Sequence, residues 1–100
     1  MAFIQTYSFS VPDHGALADL LDEWARGEGP SMPGFRELWL MRERESDQYL
    51  LCAEFATFEE AMASSVRPET GSLFRDLRDV SAGDLEPRGY ELGTVVEPQG

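Results

Sequence analysis

The sequence predicts an α+β fold with a four-stranded antiparallel sheet, in the order β-α-β-β-α-β. Two apolar stretches of strand length flank residues 43–48, which are rich in charge and turn formers and so indicate a hairpin loop. Apolar residues at helical spacing occur before and after this hairpin, and a strand-like stretch lies near each end of the chain. This order is that of the ferredoxin-like arrangement, in which the first and third strands are central.

The hairpin strands predict a sheet that is covered on both faces. The second of them, residues 49–55, carries Glu54 as its one charge, so apolar side chains point to both faces. The first hairpin strand also presents two apolar rows. These rows are Phe35, Trp39 and Met41 on one face and Leu38 and Leu40 on the other.

The first strand and the first helix are predicted over residues 3–11 and about 13–26. Pro12 ends the strand because proline cannot donate to a sheet ladder. Asp13 fits the N-cap, and Gly27 fits a left-handed helix stop. The apolar side of the strand is Phe3, Tyr7, Phe9 and Val11, and the apolar stripe of the helix is Leu17, Leu20, Leu21 and Trp24.

The second half of the chain predicts an interrupted helix followed by a last strand. Thr57 and Glu60 have the spacing of a capping box. Pro68 and Gly71 predict a break, with a second helical piece from about Ser72. We expect a loop over residues 81–89 and a strand over Tyr90–Glu97, which Pro98 stops.

Both helices of such a fold cover one face of the sheet, so the other face needs a cover from outside the chain. A second copy is the simplest cover, giving a symmetric homodimer with two sheets packed face to face. Ile4, Leu92 and Val96 are the predicted members of that interface.

Composition limits the partners and the location. A net charge of −11, with only arginine as the basic residue, disfavours nucleic acid and anionic membranes. The start of the chain does not resemble a signal peptide, and no apolar run has membrane-spanning length, so a cytoplasmic location is expected. One hundred residues predict a single domain, 1–100.

Three segments resemble the antibiotic biosynthesis monooxygenase superfamily of dimeric α/β barrels. They are Ser-Val-Pro at 10–12, Met-Pro-Gly-Phe at 32–35 and Tyr-Leu-Leu-Cys-Ala-Glu-Phe-Ala-Thr-Phe-Glu-Glu-Ala at 49–61. The resemblance implies a homodimer with a pocket between helices and sheet. Members of that superfamily include cofactor-free oxygenases of aromatic polyketides and haem-degrading enzymes, so the resemblance suggests these activities as candidates.

The chain departs from the catalytic pattern of that superfamily. Tyr7 stands where relatives carry an asparagine, and Phe55 stands where they carry a tryptophan. Ser64 or Ser65 falls where haem-degrading members have their iron-ligating histidine. We therefore predict neither haem degradation nor any bound cofactor or metal.

The resemblance implies a small-molecule site for an aromatic ligand. Its predicted lining is Tyr7, Phe9, Trp24, Phe55, Met62 and Ser65. Tyr7 is the candidate hydrogen-bond donor to a ligand oxygen. The alternative, which the sequence favours, is a core tyrosine whose hydroxyl is bonded locally. Trp24 and Met62 are expected mainly to pack in the core and only secondarily to form walls of the pocket.

Other chemically capable side chains have simpler interpretations. His14, at a helix N-terminus without a partner nearby, is expected to face solvent. Asp19, Asp22 and Glu23 fit a solvated helix face better than a metal site. Cys52 lies in an apolar strand, where a buried thiol is usually inert.

Three functions remain open on the sequence. The chain is a cofactor-independent oxygenase for a small aromatic substrate, a non-catalytic binder of small molecules, or a structural dimer that offers its helices to a protein partner. An apolar cavity with hydroxyls inside favours the first two, and a cleft filled by side chains favours the third.

Overall fold

The computed structural model describes residues 1–96 and 98. Four strands and three helices form the α+β fold that the sequence predicts. They are β1 (Phe3–Ser10), α1 (His14–Gly27), β2 (Phe35–Arg42), β3 (Gln48–Phe55), α2 (Phe58–Ser65), α3 (Pro68–Val80) and β4 (Glu86–Glu91), with one 3-10 turn at Gly29–Ser31.

The sheet has the ferredoxin-like strand order β2-β3-β1-β4, and every neighbouring pair is antiparallel. The first and third strands are therefore central, as predicted. Their register pairs Phe3 with Phe55 and Tyr7 with Leu51, so the large apolar side chains of both central strands share one face.

The helices pack on that face and bury the core against it. Burial there removes apolar surface from water, which is the main stabilising term for a domain of this size. The main cluster is Phe9, Val11, Leu17, Leu21, Tyr49, Leu51, Leu73 and Leu77, and a smaller one is Phe3, Phe55 and Ala61.

A β-bulge changes the predicted faces of β2. The register slips between Phe35 and Glu37, so Arg36 is an extra residue in the pairing with β3. Phe35 therefore lies on the helix side. The centroid of its ring is 5.5 Å from that of Trp24 and 5.8 Å from that of Phe55. Its assignment to the row of Trp39 and Met41 was wrong, because strict alternation does not hold through a bulge.

The helix starts follow the predicted caps, but one predicted stop is wrong. The Asp13 carboxylate accepts from the amide of Ala16 at 3.2 Å, and the Thr57 hydroxyl accepts from the amide of Glu60 at 3.1 Å. Gly27 is the last residue of α1 rather than a left-handed residue beyond it. The cap is Glu28, whose amide donates to the carbonyl of Trp24 at 2.8 Å.

The predicted helix break is present, but the second piece begins earlier than Ser72. α2 ends at Ser65, and Pro68 is the first residue of α3, where a missing N–H costs no helical hydrogen bond. Gly71 lies inside α3. The Thr70 hydroxyl donates to the carbonyl of Ser64 at 2.8 Å and joins the two helices.

The last strand is Glu86–Glu91, not Tyr90–Glu97. The predicted loop over residues 81–89 thus extended too far, because β4 is an edge strand, where a proline such as Pro87 is tolerated. A Cβ on Gly89 would lie 2.6 Å from the Phe3 ring, so a glycine lets this strand approach β1. Residues 92–96 have no regular secondary structure, and Glu97 lies outside the described residues.

The second face of the sheet carries no helix. Strand alternation assigns Ile4, Trp39, Met41, Leu50, Cys52 and Tyr90 to it. Met41 and Tyr90 are 46% and 52% exposed, and Leu92, Val95 and Val96 beyond β4 are exposed as well. Within the described part of the chain, the helices are too short or too polar to cross a membrane.

Candidate functional site

A small apolar cavity lies between the helices and the covered face of the sheet. Its floor comes from the central strands and β2, and its walls come from α1, α2 and α3. Its volume is about 50 Å³, whereas sites for drug-sized ligands hold about 300–1,000 Å³. The cavity in this form suits a few solvent-sized groups, and a larger ligand requires a wall to move.

Five of the six residues predicted as a ligand site line this one cavity. They are Tyr7, Trp24, Phe55, Met62 and Ser65. Phe9 does not line it; its ring stacks at 6.3 Å on that of Tyr49 in the main core. Met62 is 37% exposed, so the packing around this wall residue leaves it room to move.

Tyr7 is a polar residue on the floor of the cavity, and its hydroxyl is a free hydrogen-bond donor. The centroids of its ring and the Phe74 ring lie 4.7 Å apart, and none of the hydrogen bonds made by the other polar lining residues involves its hydroxyl. The local hydrogen-bond partner that the sequence favoured for the Tyr7 hydroxyl is therefore not found among the described residues that line the cavity. Burial raises the pKa of Tyr7, because a phenolate is poorly solvated in apolar surroundings. Near neutral pH the phenol is protonated and able to donate.

The donors of the other polar wall residues are already used. Each donates to a backbone carbonyl and so holds the helices in place. The pairs are Trp24 Nε1 to Glu69 at 3.3 Å, Ser64 to Pro33 at 2.9 Å, Ser65 to Met62 at 2.7 Å and Thr70 to Ser64 at 2.8 Å. Ser65 was predicted as a ligand contact, but its donor is taken within its own helix.

Several lining residues were missed by the sequence reasoning. Leu38, Phe74 and Thr70 come from elements whose orientation toward the cavity depends on the packing of the helices. Gln5 could have been found, because it is a polar residue in the otherwise apolar row of β1, two residues before Tyr7. Its side chain also lines the cavity.

His14 does not line the cavity but has a partner of its own. Its Nδ1 lies 3.0 Å from the hydroxyl of Tyr49, and the two rings stack at 5.5 Å. The expectation that this histidine simply faces solvent is therefore incomplete, since the residue is exposed but packs on Tyr49.

The structure supports the simpler interpretation of the acidic helix face and of the cysteine. Asp22 pairs with Arg26 at 2.8 Å, with both side chains largely exposed. Across residues 1–96 and 98, no three metal-ligating side chains come together. Cys52 lies on the opposite face of the sheet, and burial raises the pKa of its thiol, which disfavours the reactive thiolate.

Comparison with solved structures shows which class of proteins has this fold. SnoaB, a cofactor-independent oxygenase from Streptomyces nogalater, superposes with a TM-score of 0.73 over 97% of this chain and 98% of its own, at 19% identity. The monooxygenase from the gene ActVA-Orf6 of Streptomyces coelicolor, solved with Nanaomycin D, gives 0.76 over 98% and 93%, at 15% identity.

A third similar structure has no assigned activity. It is a dimeric ferredoxin-like protein of unknown function from Jannaschia sp. CCS1, with a TM-score of 0.71 over 92% of this chain and 100% of its own, at 16% identity. No protein-family model matches the sequence, and no curated protein does either.

The fold is therefore α+β and ferredoxin-like. More particularly, several structural neighbours of this chain are antibiotic-biosynthesis-monooxygenase-type proteins, as its sequence segments suggested. At these identities the likeness establishes the fold, and neighbours with and without an assigned activity share it.

Proposed function

We propose that this chain is a cofactor-independent monooxygenase for a small aromatic substrate that binds in the cavity beneath α2 and α3. The observation that carries the proposal is the free, protonated hydroxyl of Tyr7 in an apolar cavity. Such a donor binds a substrate oxygen and stabilises negative charge that develops on it. Two oxygenases among the structural neighbours support the same chemistry.

In this chemistry the substrate supplies the electrons. A phenolic or anthrone-type ring loses a proton, and the resulting anion reacts with dioxygen. When a ring methylene becomes a carbonyl, one oxygen atom is retained in the product and the other leaves as water with the two hydrogens. The protein binds and orients the ring and excludes bulk water.

The second candidate is a non-catalytic binder of the same kind of molecule. It is favoured by the lining of the cavity, which within the described residues includes no carboxylate and no imidazole to remove the substrate proton. A substrate that ionises readily in water does not need such a base. Rings of graded acidity therefore distinguish the oxygenase from the non-catalytic binder.

The proposal includes a homodimer formed through the helix-free face of the sheet. This face carries Ile4, Trp39, Met41 and Tyr90, and exposed apolar surface of that extent favours association. A neighbour of the same fold is a dimer. The third possibility, a structural dimer that uses its helices to bind a protein, is disfavoured by the cavity under them.

The test is oxygen uptake with a panel of anthrones and hydroquinones of graded acidity. Because such rings oxidise spontaneously, the control is an equal concentration of chemically denatured chain. Uptake well above that control, with product carrying one atom from labelled dioxygen, is expected. Binding without faster uptake selects the non-catalytic candidate, and absence of both selects the structural dimer.

A further inference from the structure

A second polar side chain, Gln5, lines the cavity beside Tyr7. The two residues are two positions apart on β1 and so share one face of the sheet. The amide nitrogen of Gln5 lies 2.9 Å from the backbone carbonyl of Arg88 on β4. A carbonyl oxygen can only accept, so the NH₂ end of the amide faces β4 and its orientation is fixed.

This orientation leaves the amide oxygen of Gln5 available. That oxygen has no hydrogen-bond partner within residues 1–96 and 98. The residue opposite Gln5 on β4 is Gly89, so no side chain from that strand covers the amide. Gly89 is itself required there, because a larger residue would meet the Phe3 ring.

Two lining residues of the same strand therefore provide one free donor, on Tyr7, and one free amide acceptor, on Gln5. We propose that Gln5 is a substrate-binding residue that accepts a hydrogen bond from a ring hydroxyl while Tyr7 donates to a second oxygen of the ring. Residues two apart on a strand lie roughly 6.6 Å from one another, a separation that one substituted ring can bridge.

The proposal rests on the proposed function and narrows its substrate class. The ligand is a neutral single ring with a hydroxyl donor and an oxygen acceptor at opposite ends. A ligand with a permanent charge is disfavoured, because no charged side chain among the described residues lines the cavity and an unpaired ion there is costly. The negative charge that develops during the reaction is stabilised by the Tyr7 donor. The cavity volume is about 50 Å³, so a single ring requires a smaller displacement of the cavity wall than several fused rings do.

The experiment compares two rings of nearly equal shape by calorimetric titration. 4-Methoxyphenol has an oxygen acceptor and a hydroxyl donor, whereas 4-methylanisole has a methyl group in place of the hydroxyl. The chain is expected to bind the first about fivefold to tenfold more tightly, the range of one net hydrogen bond. Gln5→Leu is expected to remove this preference.

Gln48→Leu is the matched control, because Gln48 lies on β3 on the opposite face of the sheet; it should retain the preference. If the Gln5→Leu variant unfolds, Gln5→Met is used in its place, because methionine keeps the length of the side chain. Equal binding of both rings by the unmodified chain overturns the proposal, as does a preference that survives the loss of Gln5.

These outcomes are distinct from failure of the proposed function. Oxygen uptake that is unaffected by Gln5→Leu refutes the role of Gln5 and leaves the oxygenase intact. If neither ring binds and no ring of the wider panel is oxidised, both proposals fall.

Discussion

The rings of Tyr7 and Phe74 lie 4.7 Å apart at a tilt of 59°. The contact joins the central strand β1 to the helix α3 across the cavity. It holds the phenol of Tyr7 among apolar groups, while the donors of the surrounding serine, threonine and tryptophan side chains serve backbone carbonyls. The availability of this hydroxyl is thus a result of packing.

Burial of Tyr7 predicts an abnormal titration. Its pKa is raised, so this phenol should ionise at higher pH than the ordinary value of about 10. The protonated form is favoured in the folded state. Its contribution to stability is therefore complete below the unfolded pKa and is lost as pH rises through the folded pKa.

Absorbance of tyrosinate measures this titration, and Tyr7→Phe should remove the late step. Tyr90→Phe is the control because Tyr90 lies on the opposite face of the sheet from Tyr7 and the cavity. A late step that remains in Tyr7→Phe would show that another tyrosine is responsible.

Gly89→Ala should destabilise the fold by about 1–3 kcal/mol, the usual cost of overpacking. The new Cβ would lie 2.6 Å from the Phe3 ring, which packs in the small core cluster with Phe55. Chemical unfolding of the variant measures the free energy. Gly93→Ala is the control, since a Cβ there meets nothing within 4 Å. Equal stability of the two variants would contradict the close approach of β4 to β1.

Val96→Asp should weaken self-association. The predicted dimer buries on the order of 2,000 Å² in total, and Val96 was predicted to lie in that interface. Val66→Asp is a matched control, because Val66 is 81% exposed, like Val96 at 84%, but follows α2 on the helix side.

Light scattering at micromolar concentration should give a dimer for the unmodified chain and for Val66→Asp. A dimer formed through the helix-free face would be contradicted if the unmodified chain were a monomer, or if both variants lost the dimer equally.

Haem should not bind tightly. Ser64 and Ser65 occupy the second-helix position expected for the ligating histidine, and Ser64 is bonded to Pro33. His14 is on α1 and contacts Tyr49 instead of the cavity. A titration followed in the Soret region should show no submicromolar binding. Submicromolar binding that is lost in His14→Ala would refute this prediction.

Periodicity was enough to predict the element order, and the ferredoxin-like arrangement of that order places β1 and β3 at the centre of the sheet. It failed at Phe35, where a bulge shifts the alternation, and at β4, where Pro87 and Gly89 belong to an edge strand. Both depend on pairing between strands, which local sequence does not encode.

The candidate site was predictable to a similar degree. Tyr7, Trp24, Phe55 and Met62 were proposed from the superfamily resemblance and line one cavity. Phe9 shares its face with Tyr7 but lies in the main core. The free hydroxyl of Tyr7 and the free amide oxygen of Gln5 depend on partners in α2, α3 and β4. Only the folded structure shows which hydrogen bonds are already made.

Oxygen uptake by Tyr7→Phe is the most direct test of the central claim. A hydrogen bond that stabilises charge in the transition state contributes on the order of 1–3 kcal/mol, about tenfold to a hundredfold in rate. The account predicts such a loss in kcat/KM for Tyr7→Phe on a ring that the unmodified chain oxidises, with Tyr90→Phe unchanged. Undiminished turnover in Tyr7→Phe would contradict it.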